Sequence, residues 1–400
     1  MANAAHKSYD VVIIGGAIYG SSVAWWLTQM AGFEGRILVV ERDPTYETAS
    51  TSHTNSCIRQ QFSNRTNIQI SRFGAEFIKN FRDFMGGDPE VPDLVLQSYG
   101  YMNLADTPEF AETLRESQAI QAAEGAHTRH MTKDEIAEEY PFYQLDDVIA
   151  ANHNLVDEGY FDGGTMFDWF KRMARRNGVE YIHDEVVEMT VNAAGYAVDS
   201  VTLKSGDVIA CGTVVNASGP RAVLTASMAG IDLPVQPRKR YTFIFDAAHP
   251  LDRDLPLTID PSGVHIRSEG KYYLAGCPPD VDPDVDFDDF GFDHSIWQEK
   301  VWPIIATRVP AFEQVKVINE WVGHYAFNTF DQNAVIGRHS TIANFVFANG
   351  FSGHGLQQSP AMGRGLAELI AYGEYRSLDL SPFGYDRLER QEKFLEKAVI

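Results

Sequence analysis

Residues 9–41, YDVVIIGGAIYGSSVAWWLTQMAGFEGRILVVE, decide the fold of this chain. The apolar run 9–14 is typical of a buried strand, and residues 15–20, GGAIYG, form a glycine turn that opens a helix-like stretch. A second apolar run, 36–40, ends at Glu41, which follows the last residue of the turn by 21 positions. Strand, turn, helix, strand and acid in this order are the fingerprint of a dinucleotide-binding βαβ unit.

In the turn, Gly15 permits the sharp reversal, and Gly20 permits the helix to pack close to the strand. Free N–H groups at the helix start can bind a pyrophosphate, and Glu41 can accept hydrogen bonds from ribose hydroxyls. The middle glycine of the pattern is Ala17 here, so a methyl group stands where backbone approaches the phosphates. The alternative is an ordinary βαβ turn with an unrelated surface glutamate. The predicted nucleotide-binding residues are Gly15, Gly16, Ala17, Ile18, Gly20, Glu41 and Arg42.

The composition limits the class of protein. A length of 400 residues predicts two domains, and 44% hydrophobic residues are enough for a sizeable core. The net charge of −22 argues against a nucleic-acid partner, because phosphate binding needs a basic surface. Cys57, Cys211 and Cys277 are far apart and lack metal-ligand spacing, which predicts reduced thiols, no metal site and a cytoplasmic location. No stretch has the composition of a signal peptide or the length of a membrane span.

The strand–helix alternation of a nucleotide-binding domain is interrupted twice along the chain. Residues 64–85 predict an amphipathic helix whose aromatic stripe packs on the core. Sequence rich in β-strand formers starts at residue 233, and the acidic loop 278–293 is interpreted as solvated surface. The prediction is an α/β fold with a discontinuous Rossmann-like nucleotide-binding domain at 1–85, 151–222 and 325–400. An antiparallel β-sheet domain that binds the substrate is assigned to 86–150 and 223–324.

Four blocks, in the expected order, resemble the FAD-dependent family of D-amino-acid oxidases, glycine oxidases and sarcosine oxidases. They are DVVIIGGAIYGSSVAWWL (10–27), GYFDGGTMFDWF (159–170), VVNASGP (214–220) and NFVFANGFSGHGLQQSPAMGRGLAELI (344–370). The resemblance implies that FAD is the cofactor and that the antiparallel sheet covers the substrate. An NAD-linked dehydrogenase would fit the first 41 residues equally well, but it would leave residues 352–357 without a role.

In this family the last block lies along the isoalloxazine ring, where a helix N-terminus would stabilise negative charge on the reduced ring. Beyond the first turn, the resemblance implies these cofactor-binding residues: Thr51, Ser52, His53, Val186, Ala217, Gly219, His324, Gly353, His354, Gly355, Leu356 and Gln357. Without the resemblance, His354 could equally be a capping or core histidine. His324 stands where sarcosine oxidases carry the cysteine that binds flavin covalently, so non-covalent FAD is expected. A histidyl link through His324 or His53 is the alternative.

Gln357 stands where some sarcosine oxidases have a lysine that binds the substrate carboxylate, so another residue must do this. Arg59 is the candidate, because a guanidinium can bind a carboxylate through two hydrogen bonds. A surface ion pair or a phosphate contact is the alternative for Arg59. The sheet over the substrate supplies three further catalytic candidates: His265, Lys271 and Tyr273. Alternation places His265 and Arg267 on one face of a strand, and the basic run 238–240 is interpreted as a solvated strand end.

The resemblance implies oxidation of the C–N bond of a small amino acid or an N-substituted glycine, sarcosine-like or iminodiacetate-like. The α-hydrogen would leave as hydride to flavin N5, the imine would be hydrolysed, and O2 would reoxidise the flavin. The expected partners are a small carboxylate-bearing amine and either O2 or an electron carrier. The alternatives are a FAD-dependent 2-hydroxyacid dehydrogenase and a non-catalytic flavoprotein that acts in assembling respiratory complexes.

Overall fold

The structure is a computed structural model that describes residues 4–397. Its strands are β1 (Ser8–Ile14), β2 (Ile37–Glu41), β3 (Cys57–Ile58), β4 (Tyr101–Ala105), β5 (Arg129–Thr132), β6 (Ala150–Asn154), β7 (Gly159–Tyr160), β8 (Glu180–His183), β9 (Val186–Val191), β10 (Val198–Leu203), β11 (Val208–Asn216), β12 (Val235–Ala247), β13 (Leu257–Ile259), β14 (His265–Glu269), β15 (Tyr272–Cys277), β16 (Val315–Asn328), β17 (Val335–Arg338) and β18 (Phe345–Asn349).

Its α-helices are α1 (Ile18–Leu27), α2 (Arg65–Lys79), α3 (Phe81–Phe84), α4 (Pro108–Ala123), α5 (Lys133–Glu139), α6 (Gly163–Arg176), α7 (Ala222–Ser227), α8 (Trp302–Arg308), α9 (Gly355–Tyr372) and α10 (Asp386–Glu389). A π-helical turn, Trp297–Val301, precedes α8. Short 3-10 turns occur at Ser50–His53, Gly219–Arg221, Pro310–Glu313 and Ser381–Phe383.

The first sheet has the strand order β17-β18-β11-β1-β2-β8, with β10 and β9 added through β11. Strand β1 pairs in parallel with both β2 and β11, and β2 and β11 pair in parallel with β8 and β18. All five residues of β2 are buried, as expected for a parallel sheet that is covered on both faces. This arrangement confirms the predicted α/β fold with a Rossmann-like sheet.

Helix α1 is buried along its whole length and packs against α6 and α9. Its Trp25 and Trp26 meet the aromatic side chains of α2 and α6, including Phe77 and Phe170, whose rings stack at 5.4 Å. The aromatic stripe therefore belongs to the core, as the sequence predicts. The single predicted helix over 64–85 is instead two helices, because α2 ends at Lys79 and α3 starts at Phe81.

The second sheet has the order β16-β12-β15-β14-β13-β4-β6-β5, and all its pairs are antiparallel except β13 with β4. Ile266 belongs to the core on one face of this sheet, whereas the neighbouring His265 lines a cavity on the other face. The domain boundaries stay a prediction, although β16 runs to Asn328 and so crosses the boundary placed at residue 325. Among residues 4–397, no helix combines the length and the apolar composition that a membrane crossing requires.

Candidate active site

One large cavity, about 2410 Å³ including its solvent-open mouth, lies between the two sheets. We call one part the nucleotide end, because it is lined by residues at or just after the C-terminal ends of β1, β2, β8 and β11. We call the other part the roof end, and it is lined by residues in or next to β3, β12, β14 and β16. Residues at the nucleotide end include Gly15, Glu41, Asp184 and Ala217. Residues at the roof end include Cys57, Arg240, Thr242, His265 and Tyr325. Residues 351–357, at the start of α9, line the cavity as well.

The turn after β1 needs glycine at two positions. Gly15 has a φ of +95°, and a Cβ there would lie 2.5 Å from the carbonyl oxygen of Ala217. A Cβ at Gly20 would lie 1.9 Å from the carbonyl oxygen of Gly15, so α1 packs directly on the turn. Helix α1 begins at Ile18, whose N–H donates to the hydroxyl of Thr51 (3.3 Å), and no side chain caps the helix at Ala17. Its start therefore presents backbone N–H groups and a positive dipole end to the cavity.

Glu41 is held at the end of β2 by backbone amides. Its carboxylate accepts hydrogen bonds from the N–H groups of Gly16 (2.7 Å) and Asp43 (2.8 Å). Burial raises the pKa of Glu41, while these two amide bonds oppose that shift. The carboxylate lines the nucleotide end, where its remaining lone pairs can accept bonds from ribose hydroxyls.

The start of α9 repeats this arrangement at the other side of the cavity. The turn before it has positive φ values at Ser352 (+47°) and Gly353 (+94°), and a Cβ at Gly353 would lie 2.4 Å from the ring of Tyr325. Helix α9 begins at Gly355, and no side chain caps it at His354. A second helix N-terminus with free amides therefore faces the cavity.

Two uncapped helix starts and a buried acid around one cavity fit the donor and acceptor groups of FAD. The first helix start suits the pyrophosphate, Glu41 suits the ribose, and the second helix start suits the flavin ring. The predicted cofactor-binding residues that line the cavity are Gly15, Ala17, Ile18, Glu41, Arg42, Thr51, His53, Val186, Ala217, Gly219, His324, Gly353, His354, Gly355, Leu356 and Gln357.

Three predicted cofactor residues do not line the cavity. Gly16 supports the site by donating its amide to Glu41, and Gly20 supports it by close packing. Ser52 is exposed, and its hydroxyl donates to the carbonyl oxygen of Tyr46, so the structure does not bring it to the cavity and its role as a cofactor contact stays a prediction.

Two predicted catalytic residues also lie elsewhere. Lys271 is exposed in the turn between β14 and β15, where its ammonium stands over the ring of Tyr272. Tyr273 points to the opposite face of the sheet, where its ring stacks with Phe245 and its hydroxyl accepts the amide N–H of Leu251. The structure therefore does not bring Lys271 or Tyr273 to the cavity, and their catalytic roles stay predictions.

Arg59 lines the cavity, but its guanidinium is already engaged. It donates to the carbonyl oxygen of Gln61 (2.6 Å) and to Nε2 of His354 (3.1 Å), and it stacks over Phe62 at 4.3 Å. Its backbone N–H donates to Oε1 of Gln357 (2.8 Å). Burial, with Arg59 nearby, lowers the pKa of His354 to about 3, so His354 is neutral and can accept this bond. Arg59 thereby ties β3 to the start of α9.

His265 lies in a hydrogen-bonded row at the roof end. The hydroxyl of Thr242 donates to Oδ1 of Asn55 (3.2 Å), which leaves the Asn55 amide NH2 to donate to Nε2 of His265 (3.0 Å). Burial lowers the pKa of His265 to about 4, so the ring is neutral and carries its proton on Nδ1. Within residues 4–397, this buried Nδ1 has no hydrogen-bond partner. It is a donor without a partner on a residue that lines the cavity.

The sequence missed Asn55, Tyr101, Arg240 and Thr242, which also line the cavity. Arg240 was interpreted as part of a solvated strand end, yet it lies beside Tyr325 inside the second sheet. The alternation of β12 would have placed Arg240 and Thr242 on one face, and this was the signal that could have identified them.

Glu158 is completely buried behind Arg59. Its carboxylate accepts hydrogen bonds from the backbone N–H of Gln60 (2.6 Å) and from Nε2 of Gln61 (2.9 Å), so it fixes the segment that carries Arg59. Burial raises the pKa of Glu158 from 4.5 to about 7 despite these bonds.

We expect Glu158→Gln to reduce the pH dependence of stability. Because the pKa is raised on folding, the folded protein binds this proton more tightly than the unfolded chain. The resulting stabilisation is present below about pH 4.5 and is lost as the pH rises through about 7, a change of about 3 kcal/mol. Urea unfolding at about pH 5 and pH 8, at one fixed FAD concentration, measures this change in the free energy of unfolding. The exposed Glu138→Gln variant should keep the wild-type pH dependence, and an unchanged pH dependence in Glu158→Gln would contradict the prediction.

A family model described as "DAO: FAD dependent oxidoreductase" matches residues 10–369. The chain belongs to this family. FAD is the cofactor of the family, which agrees with the two helix starts and the acid around the cavity.

Several members of the FAD-dependent oxidoreductase family match nearly the whole chain. The Xenopus laevis "FAD-dependent oxidoreductase domain-containing protein 1" is 39% identical over 426 residues, covering 98% of this chain and 85% of the relative. Sarcosine oxidase subunit beta of Arthrobacter is 24% identical over 395 residues, covering 96% of this chain and 92% of the relative. The crystal structure of L-proline dehydrogenase from P. horikoshii has a TM-score of 0.83 at 26% identity, with 97% of this chain and 99% of that chain covered.

Proposed function

We propose that this FAD-dependent oxidoreductase oxidises the C–N bond of a small amine acid, with N-substituted glycines as the preferred class. The distribution of charge in the cavity carries the proposal. The acidic residues that line it, Glu41, Asp43, Asp184 and Glu185, follow β2 and β8 at the nucleotide end. The roof end has Arg59 and Arg240 and, among the described lining residues, no acid. In a chain with a net charge of −22, the roof end therefore offers guanidinium groups to a carboxylate, and one of them, that of Arg240, already binds the carboxylate of Asp282.

The neutral histidines suit an amine substrate. His265 and His354 have pKa values of about 4 and about 3, so both are uncharged at neutral pH. An uncharged imidazole does not repel a substrate ammonium, and it leaves the orientation of the substrate carboxylate to a guanidinium at the roof end. Two relatives named above, a sarcosine oxidase subunit and a proline dehydrogenase, bear the names of secondary amine acids, which supports the same substrate class.

FAD supplies the two-electron acceptor for this chemistry. The residues of the chain position the substrate and exclude water, and orientation over the ring provides most of the rate enhancement. For sarcosine, the overall reaction consumes O2 and H2O and yields formaldehyde, glycine and hydrogen peroxide, so the C–N bond is oxidised and O2 is reduced. We infer that Lys271 has no part in the reaction with O2, because it is exposed outside the cavity.

Aerobic turnover tests this proposal. The purified holoprotein should release hydrogen peroxide and one equivalent of aldehyde or keto acid from an N-substituted glycine. The matched tertiary-carbon compound, N-methyl-2-aminoisobutyrate, lacks the α-hydrogens and can be oxidised only at the N-methyl group. Formaldehyde from this compound shows oxidation at the N-methyl carbon, whereas glyoxylate from sarcosine and no product from this compound show oxidation at the α-carbon. A holoprotein that forms no carbonyl product from any amine acid contradicts the proposal.

The proline dehydrogenase likeness favours a second form of the same activity, in which an electron carrier replaces O2. Oxygen uptake and reduction of an artificial dye, measured on the same substrate, distinguish the two. We expect oxygen uptake to be the faster process.

We also predict that FAD is bound non-covalently. Nε2 of His324 is hydrogen-bonded to the carbonyl oxygen of Asp289 (2.8 Å), and its ring stacks on Phe290 at 4.2 Å. Burial also lowers the pKa of His324. Acid precipitation should leave the yellow colour in the supernatant. Colour that stays on the protein pellet, and is lost from it in His324→Phe or His53→Phe, would establish the histidyl link instead.

A further inference from the structure

Arginines line the cavity at four positions, and three of them are committed to other tasks. Arg42 and Arg221 both reach Asp288, at 3.5 and 2.5 Å, beside the nucleotide end. Arg59 is buried, and both of its terminal nitrogens donate to Gln61 and His354. At the roof end, Arg240 is therefore the lining arginine whose guanidinium is held by a side-chain carboxylate, the kind of group that a ligand carboxylate can replace.

Arg240 already holds a carboxylate. Its Nη1 and Nη2 donate to the two oxygens of Asp282, at 2.8 and 3.0 Å, while its guanidinium stacks on the ring of Tyr325 at 4.7 Å. A stacked guanidinium with two parallel bonds is the geometry in which arginine recognises carboxylates. The carboxylate of Asp282 thus occupies the position at Arg240 that a ligand carboxylate would take.

This position lies next to the predicted flavin site. The ring of Tyr325 contacts Gly353 in the turn before α9. Thr242 lies two residues after Arg240 in β12 and pairs with Gly276 of β15. On the other side of β15, His265 of β14 pairs with the same Gly276. A carboxylate at Arg240 is therefore close to the row of Asn55, Thr242 and His265.

Asp282 belongs to the acidic loop 278–293, which the sequence suggested was solvated surface. Instead, Asp282 also contacts Arg238 (3.5 Å), Asp289 pairs with Lys239 (2.7 Å), and Pro278 and Phe287 line the cavity. The loop therefore borders the cavity. The side chains of Asp282 and Arg240 are 23% and 15% exposed, so solvent can reach the pair and a second carboxylate can compete for it.

We propose that Arg240 is the binding site for the substrate's carboxylate, and that Asp282 occupies it until a ligand carboxylate displaces it. The nature of the ligand rests on the proposed function. Substrate binding would then release one anchor of the loop 278–293.

Ligand binding without turnover tests the proposal. Benzoate and its neutral isostere benzamide are titrated into the holoprotein, and the visible absorption of the bound FAD reports binding. We expect Arg240→Gln to weaken benzoate about tenfold or more and to leave benzamide nearly unchanged, since bonds between charged groups are lost. Arg253→Gln is the matched control, because Arg253 is exposed and does not line the cavity. Its benzoate affinity should fall by less than about twofold, and Arg240→Lys should recover only part of the affinity.

Replacing the competing carboxylate should have the opposite effect. Asp282→Asn should tighten benzoate about threefold to tenfold, because the ligand no longer displaces a charged partner. Asp280→Asn, which removes the loop contact to Lys300 (2.6 Å), should leave benzoate binding as in the wild type.

The outcomes separate this inference from the proposed function. Unchanged benzoate affinity in Arg240→Gln, or no benzoate binding by the wild type, would overturn the carboxylate site even if amine acids are oxidised. Arg240-dependent benzoate binding by a protein that oxidises no amine acid would support the site and refute the function. Retained visible absorption in each variant shows that FAD is still bound.

Discussion

Gly20→Ala is expected to weaken FAD binding by about a hundredfold and to destabilise the protein by about 3 kcal/mol or more. The new Cβ would lie 1.9 Å from the carbonyl oxygen of Gly15 and 3.2 Å from Cγ2 of Ile13. Helix α1 would have to move away from β1, and its uncapped start at Ala17 would move with it. Fluorescence titration of the apoprotein with FAD and urea unfolding measure the two effects.

Gly164→Ala is the matched control for this substitution. Gly164 lies in the first turn of α6, and the nearest atom to a Cβ there is a carboxylate oxygen of Asp162 at 3.3 Å. Alanine favours helix over glycine, so this variant should be neutral or slightly stabilised. Full FAD affinity in Gly20→Ala would show that the close contact between α1 and the turn is not required.

Arg387→Met is expected to destabilise the protein by about 3–5 kcal/mol, because it leaves a buried carboxylate without its cation. Asp331 is completely buried at its side chain, and Arg387 donates to its two oxygens at 2.7 and 3.0 Å. The same arginine donates to the carbonyl oxygens of Phe383 and Ala334. It therefore connects the C-terminal segment to the loop that follows β16.

This substitution should also reach the cofactor site. Asp331 accepts a bond from Nδ2 of Asn328 (2.9 Å), and the backbone N–H of Asn328 donates to the hydroxyl of Ser352 (2.9 Å) in the turn before α9. We expect weaker FAD binding together with the lower urea midpoint. Arg390→Met, which removes an exposed pair with Asp386, should change stability by less than about 0.5 kcal/mol. Equal effects of the two substitutions would argue against the role of the buried pair.

The sequence predicted those parts of the site that depend on local spacing. The turn at Gly15, the acid at Glu41 and the start of α9 near Gly355 each follow from a short motif, because neighbouring residues supply both the geometry and the backbone donors. The strands β1 and β2 are continuous apolar runs, so their burial in a parallel sheet was also predictable.

The roof end could not be predicted in the same way, because it depends on contacts between distant segments. Tyr273 and His265 lie on facing strands of one hairpin, yet the register places them on opposite faces of the sheet. Arg240 meets Asp282, which is 42 residues away in a loop without a pattern of its own. Neither periodicity nor spacing indicates which acid an arginine will meet over that distance.

Anaerobic absorption spectroscopy of the holoprotein tests the central claim most directly, namely that one cavity holds FAD and an amine acid together. Sarcosine, iminodiacetate, L-proline and L-lactate are added separately under argon, and the visible absorption is followed. We predict that at least one N-substituted glycine bleaches the yellow colour of the bound FAD as soon as it is mixed in. L-lactate should leave the colour unchanged. A protein that retains its colour with every amine acid, or is bleached only by the hydroxy acid, would contradict this account.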